Sequence, residues 1–371
     1  MIIAPTGTAG ANYPEAVGAA RAAVRALNTR GGIGGHPVTL VFCNDKNDVP
    51  TAQACAQKAA DTHTLAVVSE LSFGGGVMPT LAKAGIPAVG SSGVSIDGSD
   101  LSSPISYVLD PLVLYPAVCP SLLKKVGVRQ PAVVGYDLAA SDRFATLAEV
   151  GAKGAGLTSK ANLREPLATS DWTPTASQLG ATHADGATLL LSEPATFALM
   201  KAAGSSEKYC HSAAAITSSD LVKLGPIANN LVEASAFPEL SEAGRFSEQR
   251  RMLAELDADY KAGDPEAGPA LRATASTTNA WLSVQVVAKV GASVKGDLTA
   301  SSLRAALDRT TDLDLQLVPP LNFTRPSPIP GTARLFNTTM RGVRWNSAKK
   351  AFVPLGSETY PALTILENGS H

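Results

Sequence analysis

Four cysteines and five histidines are the residues in this 371-residue chain best suited to metal or redox chemistry. Their spacing supports neither. Cys43, Cys55, Cys119 and Cys210 form no C-x-x-C pair and lie beside no paired histidines, which argues against a zinc site or a reactive dithiol. His36, His63, His183 and His211 stand singly at turns or strand starts, where surface and structural roles outnumber ligands. There is no G-x-S-x-G nucleophile elbow, no H-E-x-x-H pair and no kinase signature. The glycine-rich run from Gly31 to Pro37 lacks the Lys-Ser/Thr of a phosphate loop and follows a helical stretch rather than a strand, so it reads as a helix stop and reverse turn. No base and nucleophile can be assembled. The expectation is a protein that is not an enzyme and holds no metal and no cofactor.

What remains is a set of turns rich in hydroxyls and glycines. Six of them follow apolar runs: residues 6–13, 70–76 and 91–95, then 138–141, 192–194 and 217–220. Backbone N–H groups and Ser or Thr hydroxyls at helix starts receive carboxylates well, and doubly wound proteins bind ligands at the C-terminal ends of their strands. The same residue types are also ordinary turn and N-cap residues. The candidate ligand-binding residues are Tyr13, Ser72, Phe73, Gly74, Gly75, Ser91, Ser92, Gly93 and Ser95 in the first group. In the second they are Ser141, Ser192, Glu193, Thr217, Ser218 and Ser219.

The elements that must position these turns follow from periodicity. Residues 15–28 carry an Ala, Val and Leu stripe at helical spacing, and strands are expected at 2–5, 38–43, 65–69 and 86–90 with helices at 51–62 and 77–84 between them. After a strand at 105–109 the rhythm restarts: helices at 112–126, 142–153, 172–182 and 195–203, strands at 131–137, 159–163, 187–192, 211–216 and 231–237. This alternation predicts parallel sheets with helices on both faces. Helices at 246–261, 272–290 and 301–309 have no companion strands and should cover the first sheet. Pro319 to Pro330 is too proline-dense for regular structure and reads as a crossing segment, and short antiparallel strands after it, beginning with Leu335 to Asn337, should finish the second lobe. Cys43 ends a strand and Cys55 lies in the following helix, close enough for a bridge, the alternative being two buried thiols. Cys119 and Cys210 are the second pair, bonded or free.

Size and composition set the class. A chain of 371 residues calls for two cores, and 45% hydrophobic with 17% charged residues describes a folded, soluble protein. With 31 basic against 32 acidic residues and no block of one sign, the concentrated basic surface of a nucleic-acid binder is missing. No apolar run spans a bilayer. Met1 reads as a start codon added where an export signal has been removed, and Gly369-Ser370-His371 as the remnant of a tag.

The stretch from Gly18 to Val41, GAARAAVRALNTRGGIGGHPVTLV, resembles the first helix, Gly-Gly-Ile turn and second strand of the periplasmic type I solute-binding proteins of ABC importers, in particular the branched-chain amino acid (Leu/Ile/Val) group. Asn44 to Asp48, Ala52 to Gln57, Gly85 to Val89, Thr278 to Trp281 and Leu335 to Asn337 extend the similarity over the whole chain. The resemblance implies an α/β protein of two doubly wound Rossmann-like lobes joined by a three-segment hinge. Lobe one would comprise residues 1–109 with 240–321, and lobe two 110–239 with 322–368, with crossings near 109–111, 237–240 and 321–324. It further implies an extracytoplasmic monomer, free or as a cell-surface lipoprotein, that traps a small molecule between its lobes and delivers it to ABC permease subunits. A ligand-sensing domain of the same fold is the alternative. By the same resemblance, Phe73, Gly74, Gly75 and residues 91–95 would hold a ligand carboxylate, Tyr13 would line its side-chain pocket, and Ser141, Ser192, Glu193 and Thr217 to Ser219 would meet its amino end. The chain departs from its relatives at two places: their hydroxyl-rich loop is here Phe-Gly-Gly-Gly, and the usual acid position falls at Ser218 or Ser219, the nearest acids being Asp137, Glu193 and Asp220. An amino acid therefore competes with a small aromatic or apolar carboxylate as ligand.

Overall fold

Short apolar runs and Ala-rich stripes alternate as strands and helices in the computed structural model, which describes residues 1–371 apart from Ala9, Gly10, Ser205, Ala215, Pro330, His371 and the side chains of Ala139 and Ala140. The chain forms two compact units, Met1–Leu112 with Ala243–Asn337 (unit 1) and Val113–Glu242 with Thr338–His371 (unit 2).

Unit 1 opens β1 (Ile2–Ile3), α1 (Pro14–Thr29), β2 (Phe42–Cys43), α2 (Val49–Asp61), β3 (Val67–Val68), α3 (Val77–Ala84), β4 (Ala88–Val89), α4 (Ser99–Ser102) and β5 (Ser106–Tyr107). β1 pairs with β2, and β3, β4 and β5 pair in that order, all parallel. The Val68 and Leu71 amides donate to the Met1 and Ile3 carbonyls, which joins both ladders into the order β2-β1-β3-β4-β5. Proline in the first turn starts α1 and α2, where its missing N–H costs nothing, and Gly85, at φ +70°, ends α3 in the left-handed region. Gly18 lets α1 touch a neighbouring turn: a Cβ there would lie 2.3 Å from the Glu266 carbonyl carbon.

In unit 2 the chain continues through α5 (Tyr115–Lys125), β6 (Pro131–Tyr136), α6 (Ala139–Gly154), β7 (Asn162–Glu165), α7 (Thr173–Ala181), β8 (Gly186–Leu190), α8 (Glu193–Ala203), β9 (Lys208–Ser212), α9 (Ser218–Leu224) and β10 (Leu231–Ser235). It then returns to unit 1 for α10 (Ser247–Lys261), α11 (Thr274–Gly291) and α12 (Ala300–Leu307), and ends in unit 2 with β11 (Thr339–Asn346), β12 (Ala351–Pro361) and α13 (Ala362–Gly369). The seven-stranded sheet runs β7-β6-β8-β9-β10-β11-β12; the pairs up to β10 are parallel, and β11 and β12 close the edge antiparallel. α11 is buried almost throughout and packs on α1, β3 and β4, as expected for a helix covering the first sheet.

Both cysteine pairs are bonded, Cys43 to Cys55 across β2 and α2 and Cys119 to Cys210 across α5 and β9, with Cα atoms 5.8 and 5.5 Å apart. Several expectations are corrected. The third crossing falls at Asn337/Thr338, not at 321–324, so residues 322–337 belong to unit 1. The cause is aromatic packing: Phe323 and Phe336 stand 5.1 and 6.0 Å from the Tyr107 ring, and Leu335 bridges Val108 in parallel instead of forming an antiparallel strand. The other two crossings, at Leu112/Val113 and Glu242/Ala243, come two or three residues later than expected. α4, α9 and α13 are additional helices. Gly369, read as tag, closes α13 and packs against Val150, where a Cβ would lie 2.0 Å from its carbonyl oxygen; His371 lies outside the described residues.

Candidate functional site

In parallel sheets the loops after the strands gather at one pole, and the candidate residues divide into one such group per unit. In unit 1, Tyr13 sits just before α1 and is buried. Burial raises its phenol above the usual range, helped by the charges of Glu15, Asp110 and Asp45. The loop after β2 braces the one after β1: Asn44 Nδ2 donates to the Thr6 carbonyl at 2.9 Å and Asn47 Nδ2 to the Ala11 carbonyl at 2.9 Å.

The loops after β3 and β4 are tied together, with Ile96 N–H donating to the Phe73 carbonyl at 3.1 Å and Gly76 N–H to Asp97 Oδ2 at 2.9 Å. Packing accounts for Gly74 and Gly75. A Cβ on Gly74 would lie 2.9 Å from Ala52 Cβ of α2, and one on Gly75 would lie 3.1 Å from Asp97 Oδ2. Gly93 holds φ +72°, a turn requirement. Phe73 is half-buried.

The serines differ in what they have left to offer. Ser72 Oγ accepts the Gly74 N–H at 3.1 Å, and Ser95 Oγ donates to Asp100 Oδ1 at 2.7 Å, so both serve loop structure. Ser91 and Ser92 are fully buried with hydroxyls that have no partner among the described residues. A buried hydroxyl without a partner costs free energy until something bonds it.

Among the buried carboxyls of unit 1 that were not candidates are Asp45, Glu70, Asp100 and Asp110. Among the described residues no ion pair includes any of them. Burial drives Glu70 well above the ordinary carboxyl range, with the Asp100 charge adding to it, and pushes Asp110 to about 7. The signal was visible: Glu70 and Asp110 are single acids at the ends of the apolar runs of β3 and β5.

In unit 2, Tyr136 ends β6, and its hydroxyl lies 2.8 Å from Ser192 Oγ while its ring meets Trp172 edge-on with centroids 6.3 Å apart. Neither aromatic was singled out from the sequence. Ser192 precedes α8, and Glu193 is its first residue. Burial, then the Asp220 charge, pushes Glu193 to about 8, so at neutral pH its carboxyl is largely protonated and bonded to Asp220. Asp220 is lowered by bonds from Thr217 and Lys223 that outweigh its burial. Thr217 caps α9 and bonds Ser219 Oγ at 2.8 Å as well as Asp220. Ser218 is the first residue of α9, half-buried and, among the described residues, without a side-chain hydrogen bond. Ser141 is buried in the first turn of α6. Glu193, Thr217, Ser219 and Asp220 form one network, while Ser192 bonds Tyr136 apart from it and Ser141 joins neither. His211 is structural, its ring nitrogens 2.9 and 3.0 Å from the Leu191 and Ser212 carbonyls.

Two units of parallel strands and crossover helices, with polar loops at the strand ends, define the periplasmic binding protein type I fold. Residues 1–350 match the family described as "Periplasmic binding protein", and the chain belongs to it. No curated protein matches the chain. Among solved structures, the fatty acid ABC transporter substrate-binding protein of Thermomonospora curvata is similar at TM-score 0.77 and 15% identity, over 98% of this chain and 92% of that one. An ABC transporter solute-binding protein from Rhodopseudomonas palustris HaA2, in complex with p-hydroxybenzoic acid, reaches 0.76 at 15% over 97% and 96%. An extracellular ligand-binding receptor from Verminephrobacter eiseniae reaches 0.76 at 17% over 95% and 98%.

Proposed function

We propose that the chain is an extracytoplasmic, monomeric solute-binding protein that captures a small carboxylate-bearing molecule with loops of both units and hands it to an ABC permease. The observation that carries this reading is the pair of buried, partnerless hydroxyls Ser91 and Ser92 at the loop after β4, in a chain of this family. A ligand carboxylate would satisfy both, with no bond made or broken in the protein. No helix among the described residues is long and apolar enough to cross a membrane.

The ligand we favour is an amino acid. Its carboxylate would meet Ser91 and Ser92, and its ammonium would answer the carboxyls that have no cation, Asp45 and Glu70 in unit 1, or the Glu193–Asp220 pair in unit 2. A simple aromatic acid is the second reading, supported by the rings of Tyr13, Phe73, Tyr136 and Trp172 and by the hydroxybenzoate bound to a relative. A ligand that touches both units favours whichever arrangement lets both reach it, which is the thermodynamic basis of capture. A thermal-shift screen over amino acids, aromatic acids and amides separates the two: a ligand bound at a hundred times its Kd adds about 2.7 kcal/mol of stability. Stabilisation by an amino acid and not by its deaminated analogue supports the first reading, the reverse supports the second, and no stabilisation by any compound contradicts both.

A further inference from the structure

Helix α11 is buried along almost its whole length, yet one of its faces is polar. Ser276, Asn279 and Ser283 follow one another at spacings of three and four, which puts them in one stripe, and all three are fully buried. Each meets a candidate loop of unit 1 at one of its ends. Ser276 Oγ donates to Glu15 of α1, two residues past Tyr13. Asn279 Nδ2 donates to the Gly90 carbonyl at 2.7 Å, just before Ser91, and lies 3.4 Å from Ser69 Oγ, just before Glu70. Ser283 closes on Gly90 itself, where a Cβ would lie 1.8 Å from the Ser283 Oγ and 3.1 Å from Asn279 Oδ1.

The two strand ends beneath this stripe have the same shape. Val68 pairs with Val89, and the residues that follow, Ser69 and Gly90, both turn left-handed, at φ +48° and +80°. Glycine adopts that conformation freely, whereas serine does so at a cost. The amides of both stay in the sheet, Ser69 N–H on the Val89 carbonyl and Gly90 N–H on the Tyr107 carbonyl, each at 2.8 Å. What directs the chain beyond them is the side of each turn that faces α11, and there a single carboxamide reaches both. We propose that Asn279 is a positioning residue for the loops after β3 and β4: by holding the Gly90 carbonyl and the Ser69 hydroxyl together, it fixes where Ser91 and Ser92 stand. The proposal rests on the reading above that those two hydroxyls meet a ligand. Without the Asn279 donor, the buried Gly90 carbonyl would have no partner among the described residues, and Ser69 would lose the contact that accompanies its left-handed turn.

Hydrogen exchange in the ligand-free protein tests this. In Asn279→Leu the Ser72, Ser95 and Ile96 amides, all bonded within or between the two loops, should exchange at least tenfold faster relative to the Val67 and Ala88 amides of the sheet. Trp281→Leu is the control for mere loss of stability: it removes the bond to Glu255 and the stacking of Arg251 on another face of α11, and should speed all of these amides alike. Asn279→Ala, smaller and also without a donor, is read in the same way if the leucine variant does not fold. A uniform rise in the Asn279 variants, like that of Trp281→Leu, overturns the proposal, and so does a rise at Ser95 and Ile96 that spares Ser72. Calorimetry with L-leucine and 4-hydroxybenzoate separates this from the functional reading. A probe that binds the wild type should bind the Asn279 variants at least tenfold more weakly, and unchanged affinity overturns the positioning role. Binding of neither probe to the wild type counts against the functional reading, while a loop-specific rise in exchange, read without any ligand, still supports the placement by Asn279.

Discussion

Glu193 of unit 2 shares a proton with Asp220, which Thr217 and Lys223 hold in turn, whereas Asp45, Glu70, Asp100 and Asp110 of unit 1 are buried with hydroxyls and amides but no cation. Unit 2 keeps one such acid, Glu233, buried with Oε1 unbonded, but at its candidate loops the acids are paired; unit 1 adds the partnerless hydroxyls of Ser91 and Ser92 to its four acids. Because buried polar groups without partners lower stability and are relieved by binding, the proposed ligand would gain most of its polar contacts in unit 1.

The largest effect that could sharpen the contrast concerns the crosslinks. The Cys119–Cys210 bridge of unit 2 closes a 91-residue separation and Cys43–Cys55 of unit 1 one of 12, so loop entropy gives about 4.5 and about 3 kcal/mol respectively. Chemical denaturation of the two double Cys→Ala variants should show the greater loss for Cys119 and Cys210; the opposite order would mean that unit 1 leans on its bridge more heavily than loop length allows.

The next effect is pH dependence. Burial raises the Asp110 carboxyl from its ordinary range near 3.8 to about 7. Between those values the folded state holds a proton that the unfolded state has lost, so stability is present below about pH 4 and falls as the pH climbs to about 7, by about 4 kcal/mol if the whole shift is realised. Asp110→Asn should flatten that slope in urea titrations at pH 4 and 7. Glu193→Gln, in the half-buried and partnered pair of unit 2, should flatten it less. Equal flattening would erase the distinction between the two units.

Ligand contacts come last. Tyr13→Ala should weaken binding of a screened ligand by about 2 kcal/mol, a buried ring's share of a pocket. Tyr136→Phe, which removes one hydroxyl from a bond to Ser192, should cost about 1 kcal/mol. Calorimetric titration reads both, and a larger loss from Tyr136→Phe would move the recognition centre to unit 2.

The alternation of strands and helices and the Cys43–Cys55 bridge were legible in the sequence because each is a local signal of period or spacing; the Cys119–Cys210 bridge, 91 residues apart, was left open. Strand lengths were not. The apolar run 38–43 pairs only as Phe42–Cys43, because β1 lies beside just that part of it. The third crossing was misplaced because Pro-rich composition says nothing about Phe323 and Phe336 folding back on Tyr107. In the loops, residue type revealed where hydroxyls lie but not which are spoken for: Ser95 and Ser91 look alike in sequence, and only the position of Asp100 removes one of them from ligand duty.

The central proposal is that Ser91 and Ser92 take a ligand's carboxylate. Small-angle scattering of the wild-type protein and of Ser91→Ala/Ser92→Ala, with and without the compound found by thermal shift, tests it most directly. The account predicts a smaller radius of gyration at saturation for the wild type and no change for the double variant at the same ligand concentration. Unchanged dimensions in the wild type at full occupancy, or undiminished compaction in the double variant, would contradict it.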